Sequence, residues 1–246
     1  MGTPDFAVAS LESILASRHE IVAVVTTPDK PAGRGLKISK PAVKICAEKK
    51  GLRILQPTHL KNPEFIAKLT ALKPDVQVVV AFRMLPKIVW SIAPTFNLHG
   101  SLLPDYRGAA PIHWAVMNGA EKTGVTTFFI DEKIDTGAII LQKETPIKPD
   151  ENMGEVYEKL TKIGSALSVK TLDIIADKKP VKTTKQPIKN NRPAPKLCAE
   201  NSVKGGYIII KTLQIAGKKK MKTQDFLNGF KLKNNAKFVA PQGLEP

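Results

Sequence analysis

Residues 63–82, PEFIAKLTALKPDVQVVVAF, set the fold. In 63–74 the apolar residues Phe65, Leu69 and Leu72 recur at helical spacing between two prolines, which predicts an amphipathic helix. In 75–82 the run Val78, Val79, Val80 is β-branched and continuous, which predicts a buried strand. The same alternation extends in both directions. EIVAVVTTPD (20–29) reads as a buried strand, PAVKICAEKKG (41–51) as a helix ending at Gly51, and LRILQP (52–57) as a short strand. PKIVWSIA (86–93) reads as a helix and TFNLHG (95–100) as another short strand. Strands alternating with helices predict a parallel, doubly wound α/β sheet.

Further on, GVTTFFIDEKIDTGAIILQ (124–142) is two alternating runs about a polar turn, a predicted hairpin. MGEVYEKLTKIGSALSVKTLDIIAD (153–177) is a long helical pattern. KKPVKTTKQPIKNNRPAPK (178–196) is basic, Pro-rich and without apolar periodicity, so it reads as a linker. A predicted strand (GYIIIKTLQIAG) and helix (KTQDFLNGFK) follow. The 246 residues therefore divide into a domain at 1–177, a linker at 178–196 and a small domain at 197–246.

Composition narrows the function. The chain has no apolar run of the roughly 20 residues a membrane helix needs, and its start, MGTPDFAVAS, is not a signal peptide. Cys46 and Cys198 stand far apart in no metal-binding spacing, as suits a reducing compartment; a cytoplasmic monomer without a metal is expected. The net charge of +16 points to a polyanionic partner, with a solvated basic surface as the plainer alternative. There is no G-x-G-x-x-G and so no expected dinucleotide.

The chemistry concentrates in FNLHGSLLPDYRGAAPIHW (96–114). Asn97 and His99 stand two apart on a strand and so share a face, at the carboxyl end where open α/β sheets bind ligands. An amide and a protonated imidazole aimed at one point form an oxyanion hole. Asp135, in the turn IDTG, is the candidate carboxylate to support the imidazole, with Asp131 and Glu132 as less specific alternatives. Taken singly, His99 reads as a core histidine and Asp135 as a turn carboxylate capping its own backbone. With no G-x-S-x-G elbow, direct transfer between two bound substrates is expected.

MGTPDFAV, TTPDKPAGRGLK, NLHGSLLPDYRGAAPI, IDTG, RPAPK and LQIAGKKKMKTQDFLNGF, in this order, resemble the methionyl-tRNA formyltransferases over nearly the whole chain. The resemblance implies a Rossmann-like catalytic domain and a C-terminal barrel of the OB type. It implies formyl transfer from 10-formyltetrahydrofolate to the α-amine of methionyl initiator tRNA. Asn97, His99 and Asp135 match the family's catalytic set. The folate is expected against Ser101, Leu102, Leu103 and Pro104 and the loop Phe82, Arg83, Met84 and Leu85, with Leu85 and Leu103 sandwiching the pterin unless they are ordinary core. Arg107 is left with two readings: an anion contact, or a tie for its own loop.

The resemblance makes 28–40 the loop that enters the tRNA acceptor end. It carries Lys30, Arg34, Lys37 and Lys40, with Arg34 as the intruding side chain. From composition alone it is a Gly/Pro-rich mobile loop. Lys218, Lys219 and Lys220 are expected to neutralise tRNA phosphates. Family members also carry an apolar strand before Met-Gly-Thr-Pro and further barrel residues between APKLCAEN and KGGYIIIK, so a longer chain is expected, of which these residues are a part. Two rivals are a sugar-nucleotide N-formyltransferase, which has no use for the charge, and a non-catalytic RNA-binding protein on the same scaffold.

Overall fold

The computed structural model describes residues 1–32, 37–177, 179–187, 192–197, 212–213 and 221–222. The chain forms two units, Met1–Glu200 and Asn201–Pro246. In the second, β9 (Thr212–Leu213) and β10 (Met221–Lys222) pair antiparallel. The rest of the predicted barrel, including Lys218, Lys219 and Lys220, lies outside the described residues.

The first unit opens with a helix that the sequence reading passed over, α1 (Asp5–Leu15). Pro4 precedes it in an extended conformation, and Phe6, Ala7, Leu11 and Ile14 are buried. The predicted strand at 20–29 pairs only over β1 (Val24–Val25), which runs parallel to β4 (Ile54–Leu55). Between them, β2 (Lys30–Ala32) and β3 (Lys37–Ser39) form an antiparallel ladder where an irregular loop was expected. Then come α2 (Ala42–Lys49) and α3 (Pro63–Ala71). Helix α3 begins where Asn62 accepts the Glu64 N–H at 2.8 Å and Pro63 occupies the first turn. It ends before Lys73, whose φ is 46°.

The main sheet has the order β5 (Gln77–Val80), β6 (Thr95–His99), β7 (Lys122–Phe129), β8 (Ile139–Pro146). β5 and β6 are parallel, with the short helix α4 (Lys87–Trp90) in the crossover. β6–β7 and β7–β8 are antiparallel. The sheet is therefore mixed rather than mostly parallel. A hairpin turn forces its two strands to run in opposite directions, and the hairpin supplies half of this sheet.

Successive valines of β5 face opposite sides. Val80 joins Phe6, Leu11, Leu98, Val125, Val156 and Leu160 in one core layer, and Val79 joins Phe65, Leu69, Leu85 and Val89 in the other. After the short α5 (Pro111–Met117), helix α6 (Met153–Ala176) lies on the first side and begins with a reciprocal cap: Asn152 accepts from Gly154 and Glu155, and Glu155 accepts the Asn152 N–H. Its Leu160, fully buried, contributes about 1.5–3 kcal/mol by removal from water.

Residues 1 and 2 lie between β1 and β5. The Gly2 N–H donates to Val25 O at 3.0 Å, the Val80 N–H to Met1 O at 2.9 Å, and the Met1 amino group to Val78 O at 2.6 Å. A side chain at position 2 would meet Ala7 Cβ at 2.5 Å, so only glycine fits. Beyond this bridge the edges of β1 and β5 border a groove of about 600 Å³ lined by Val22, Val24, Val76 and Val78.

Candidate active site

The site begins where β6 ends. Register pairs Asn97 with Phe128 and His99 with Thr126, so Asn97 and His99 project from the same face of β6. Asn97 is half-buried, and His99 is 5% exposed with its ring edge-on to Phe128. His99 Nε2 donates to the Tyr106 carbonyl at 2.8 Å. That bond fixes the ring and leaves Nδ1 for chemistry. Nδ1 stands 3.7 Å from Asp135 Oδ2. The gap is too long for a direct hydrogen bond.

The three acidic candidates differ in their surroundings. Asp131 accepts from Lys133 N–H and Thr136 Oγ1 within its own turn, and Glu132 pairs with Lys87 on the surface at 2.6 Å. Asp135 faces His99 and accepts the Gly108 N–H at 2.8 Å. Its backbone has φ 53°, a conformation costly for a residue with a Cβ.

The segment 101–105 is anchored from below. Thr126 Oγ1 donates to Ser101 O at 2.7 Å and accepts the Leu103 N–H at 3.2 Å. Gln142 Nε2 donates to Leu103 O at 2.8 Å, and Ser101 Oγ donates to Asp105 O at 2.6 Å. Leu103 and Leu85 are both buried, Leu85 in the second core layer, while Leu102 and Pro104 are half-buried. Met84 is 68% exposed. Phe82 packs on the second core layer, and Arg83 Nη1 donates to Thr58 O at 2.8 Å. The guanidinium thus holds the 57–58 turn, and Met84 and Phe82 keep surface for a ligand.

A third segment completes the site. Residues 184–187 and 192–195, expected in the linker, bond to the rest of the first unit. The Tyr106 N–H donates to Arg192 O at 2.6 Å, the Ala194 N–H to Arg107 O at 2.8 Å, and Trp114 Nε1 to Pro195 O at 2.8 Å. Arg107 donates to Gln186 Oε1 from Nε at 3.2 Å and from Nη2 at 2.7 Å, so it ties its own loop to this strap.

A family profile described as "Formyl transferase" matches residues 1–172. The chain belongs to the formyl transferase family. The methionyl-tRNA formyltransferase of Flavobacterium johnsoniae is 52% identical over 203 residues, 82% of this chain and 64% of that protein. That of Parabacteroides distasonis is 38% identical over 306 residues, covering 94% of each chain. This chain spans less than two thirds of the first relative's length. Among solved structures, the sugar 3N-formyl transferase WlaRD, in the presence of dTDP and 5-N-formyl-THF, has a TM-score of 0.61 at 23% identity, covering 85% of this chain and 72% of that one. Phosphoribosylglycinamide formyltransferase from Bacillus halodurans has a TM-score of 0.61 at 22% identity, covering 72% of this chain and 92% of that one.

Thr126, Gln142 and Gln186 were not picked out by sequence reasoning. Thr126 and Gln142 sit in the predicted hairpin at positions facing the loop end of β6, a signal that strand alternation offers.

The base of the 28–40 segment is pinned. Asp29 accepts from Lys44 Nζ at 2.6 Å and from Gln56 Nε2 at 2.8 Å, and the Lys44 hydrogen bond, followed by Gln56, holds its carboxyl below the usual range. Lys40 pairs with Glu48 at 2.8 Å, which raises the lysine pKa. Lys30 is exposed at the start of β2, and Lys37 opens β3. Arg34 lies outside the described residues.

Proposed function

We propose that this chain transfers the formyl group of 10-formyltetrahydrofolate to the α-amine of methionyl initiator tRNA. The observation that carries the reading is the His99–Asp135 pair, 3.7 Å apart beside Asn97 at the end of a parallel strand. The high identity to proteins of that activity supports the choice of acceptor.

The chemistry follows from the donors. The amine nitrogen bonds to the formyl carbon, and the formyl oxygen takes up negative charge. The Asn97 amide and the protonated His99 Nδ1 donate to that oxygen, and fixed donors in a water-poor site need no reorganisation as charge develops. Asp135 takes up the amine proton, through water, for return to the folate nitrogen as the carbon–nitrogen bond breaks. The Tyr106 carbonyl holds the ring through Nε2, so Nδ1 stays aimed at the cleft. Segments 101–104 and 82–85 receive the folate, with the exposed Met84 as one wall. The basic residues Lys30, Arg34 and Lys37, together with Lys218, Lys219 and Lys220, contact the tRNA.

The test supplies 10-formyltetrahydrofolate with either methionyl initiator tRNA or an amino sugar nucleotide. Formyl transfer to the tRNA is expected. Transfer to the sugar alone, or to neither, overturns the reading.

A further inference from the structure

Gln186 lies 51 residues beyond Asp135 in sequence and joins the two loops that flank His99. Its Oε1 accepts from Arg107 Nε and Nη2, at 3.2 and 2.7 Å, in the loop after β6. Its Nε2 donates to Asp135 O at 3.1 Å and to Gly137 O at 2.7 Å, in the loop between β7 and β8. One primary amide thus spans the cleft with both ends used. The requirement is chemically narrow: two donors and one acceptor on a single planar group. Glutamate offers no donor, and lysine offers no acceptor.

The Asp135 loop needs such a brace. A non-glycine residue at φ 53° persists only where its surroundings hold it. The carbonyl that Gln186 captures belongs to Asp135 itself, and the next captured carbonyl is Gly137. On the opposite loop, Tyr106 fixes His99 and Gly108 fixes the Asp135 carboxylate. The His99–Asp135 separation is therefore set by how these two loops are spaced.

We propose that Gln186 is a positioning residue that places the Asp135 carboxylate against His99 Nδ1. This inference rests on the formyl-transfer reading for its kinetic consequence, but its structural half stands apart. Misplacing a reacting group by about 1 Å can cost on the order of a hundredfold in rate.

The experiment uses the full chain with Gln186→Leu and Gln186→Glu, each checked for folding by circular dichroism. The Glu variant keeps the acceptor for Arg107 and removes the two donors, so it serves if the Leu variant does not fold. The first readout is hydrogen exchange of the Gly108 amide, which is protected by Asp135 Oδ2 and needs no activity. The second is formyl transfer to methionyl initiator tRNA. Expected are Gly108 exchange faster by about tenfold or more, a kcat lower by roughly ten- to a hundredfold, and a KM for 10-formyltetrahydrofolate within about twofold. Unchanged Gly108 exchange in a folded variant overturns the proposal, as does an unchanged kcat. A wild-type chain that transfers no formyl group refutes the functional reading instead, and Gly108 exchange then decides the brace by itself.

Discussion

Gly108→Ala tests whether the strap holds the site loop. Gly108 has φ 127°, and a Cβ there would stand 2.3 Å from the Ala194 carbonyl oxygen. Backbone does not yield that distance locally, so the strap must leave. Three backbone hydrogen bonds then go: Ala194 N–H to Arg107 O, Ala110 N–H to Ala194 O, and Tyr106 N–H to Arg192 O. At about 1 kcal/mol each these amount to about 3 kcal/mol. The strained φ adds about 1–3 kcal/mol. For a domain of this size, about 4–6 kcal/mol lowers Tm by roughly 8–24 °C. Gly119→Ala is the control: its φ is 62°, but nothing lies within 4 Å of the added Cβ. It carries strain without a clash and should lower Tm by only about 2–6 °C, the effect of roughly 1–1.5 kcal/mol. Thermal unfolding by circular dichroism measures both, and tryptophan fluorescence reports release of Trp114 from Pro195 in the first alone. Equal Tm losses for the two variants would refute the strap argument.

Asn97→Ala, His99→Ala and Asp135→Ala should each lower formyl transfer by about a hundredfold or more, and His99→Ala should also lower Tm because the buried ring holds the Tyr106 carbonyl; near-normal turnover of His99→Ala would remove the oxyanion-hole reading. Arg34→Lys keeps the charge and loses the planar fork, so productive binding of charged initiator tRNA should weaken with folate binding intact, whereas Lys218→Ala should weaken all tRNAs alike and reduce the salt slope by about one contact. Equal, salt-suppressed losses would make Arg34 an ordinary surface charge. Glu151 is held below the usual carboxylate range, first by Lys159 and then by the Lys148 N–H. A depressed folded pKa means that its stabilisation is present above the unfolded value of 4.5 and disappears as pH falls through the lower folded value. Glu151→Gln should therefore lower Tm at neutral pH and make no difference in strong acid, as thermal melts across pH will show.

The site was legible where its residues lie on regular elements. Asn97 and His99 share a face because strands alternate, and IDTG lies in a turn because two alternating runs flank it. Asp131 and Glu132 pair within their own turn and on the surface, whereas Asp135 lies 3.7 Å from His99. Helix α1 was missed because Gly-Thr-Pro reads as a turn; the spacing of Phe6, Leu11 and Ile14 was the available signal. The strand at 20–29 pairs with β4 over two residues only. The strap carries no hydrophobic period because most of its contacts are to backbone groups, so its residues look like a linker in sequence. Gln186 is invisible for the same reason: its role depends on carbonyls that any residue could supply.

The strap also gives the domain an order of assembly. Trp114 and Pro195 are 81 residues apart, and Arg107 and Pro187 are 80 apart. During synthesis the main sheet and both core layers are complete once α6 has emerged. The loop that aims His99 is then still untied, and the roughly 20 residues that tie it take the ribosome about one to four seconds to add. A nascent chain therefore passes through a stage with a formed core and an unassembled His99–Asp135 pair. Closing such distant contacts last separates the stability of the fold from the onset of its chemistry.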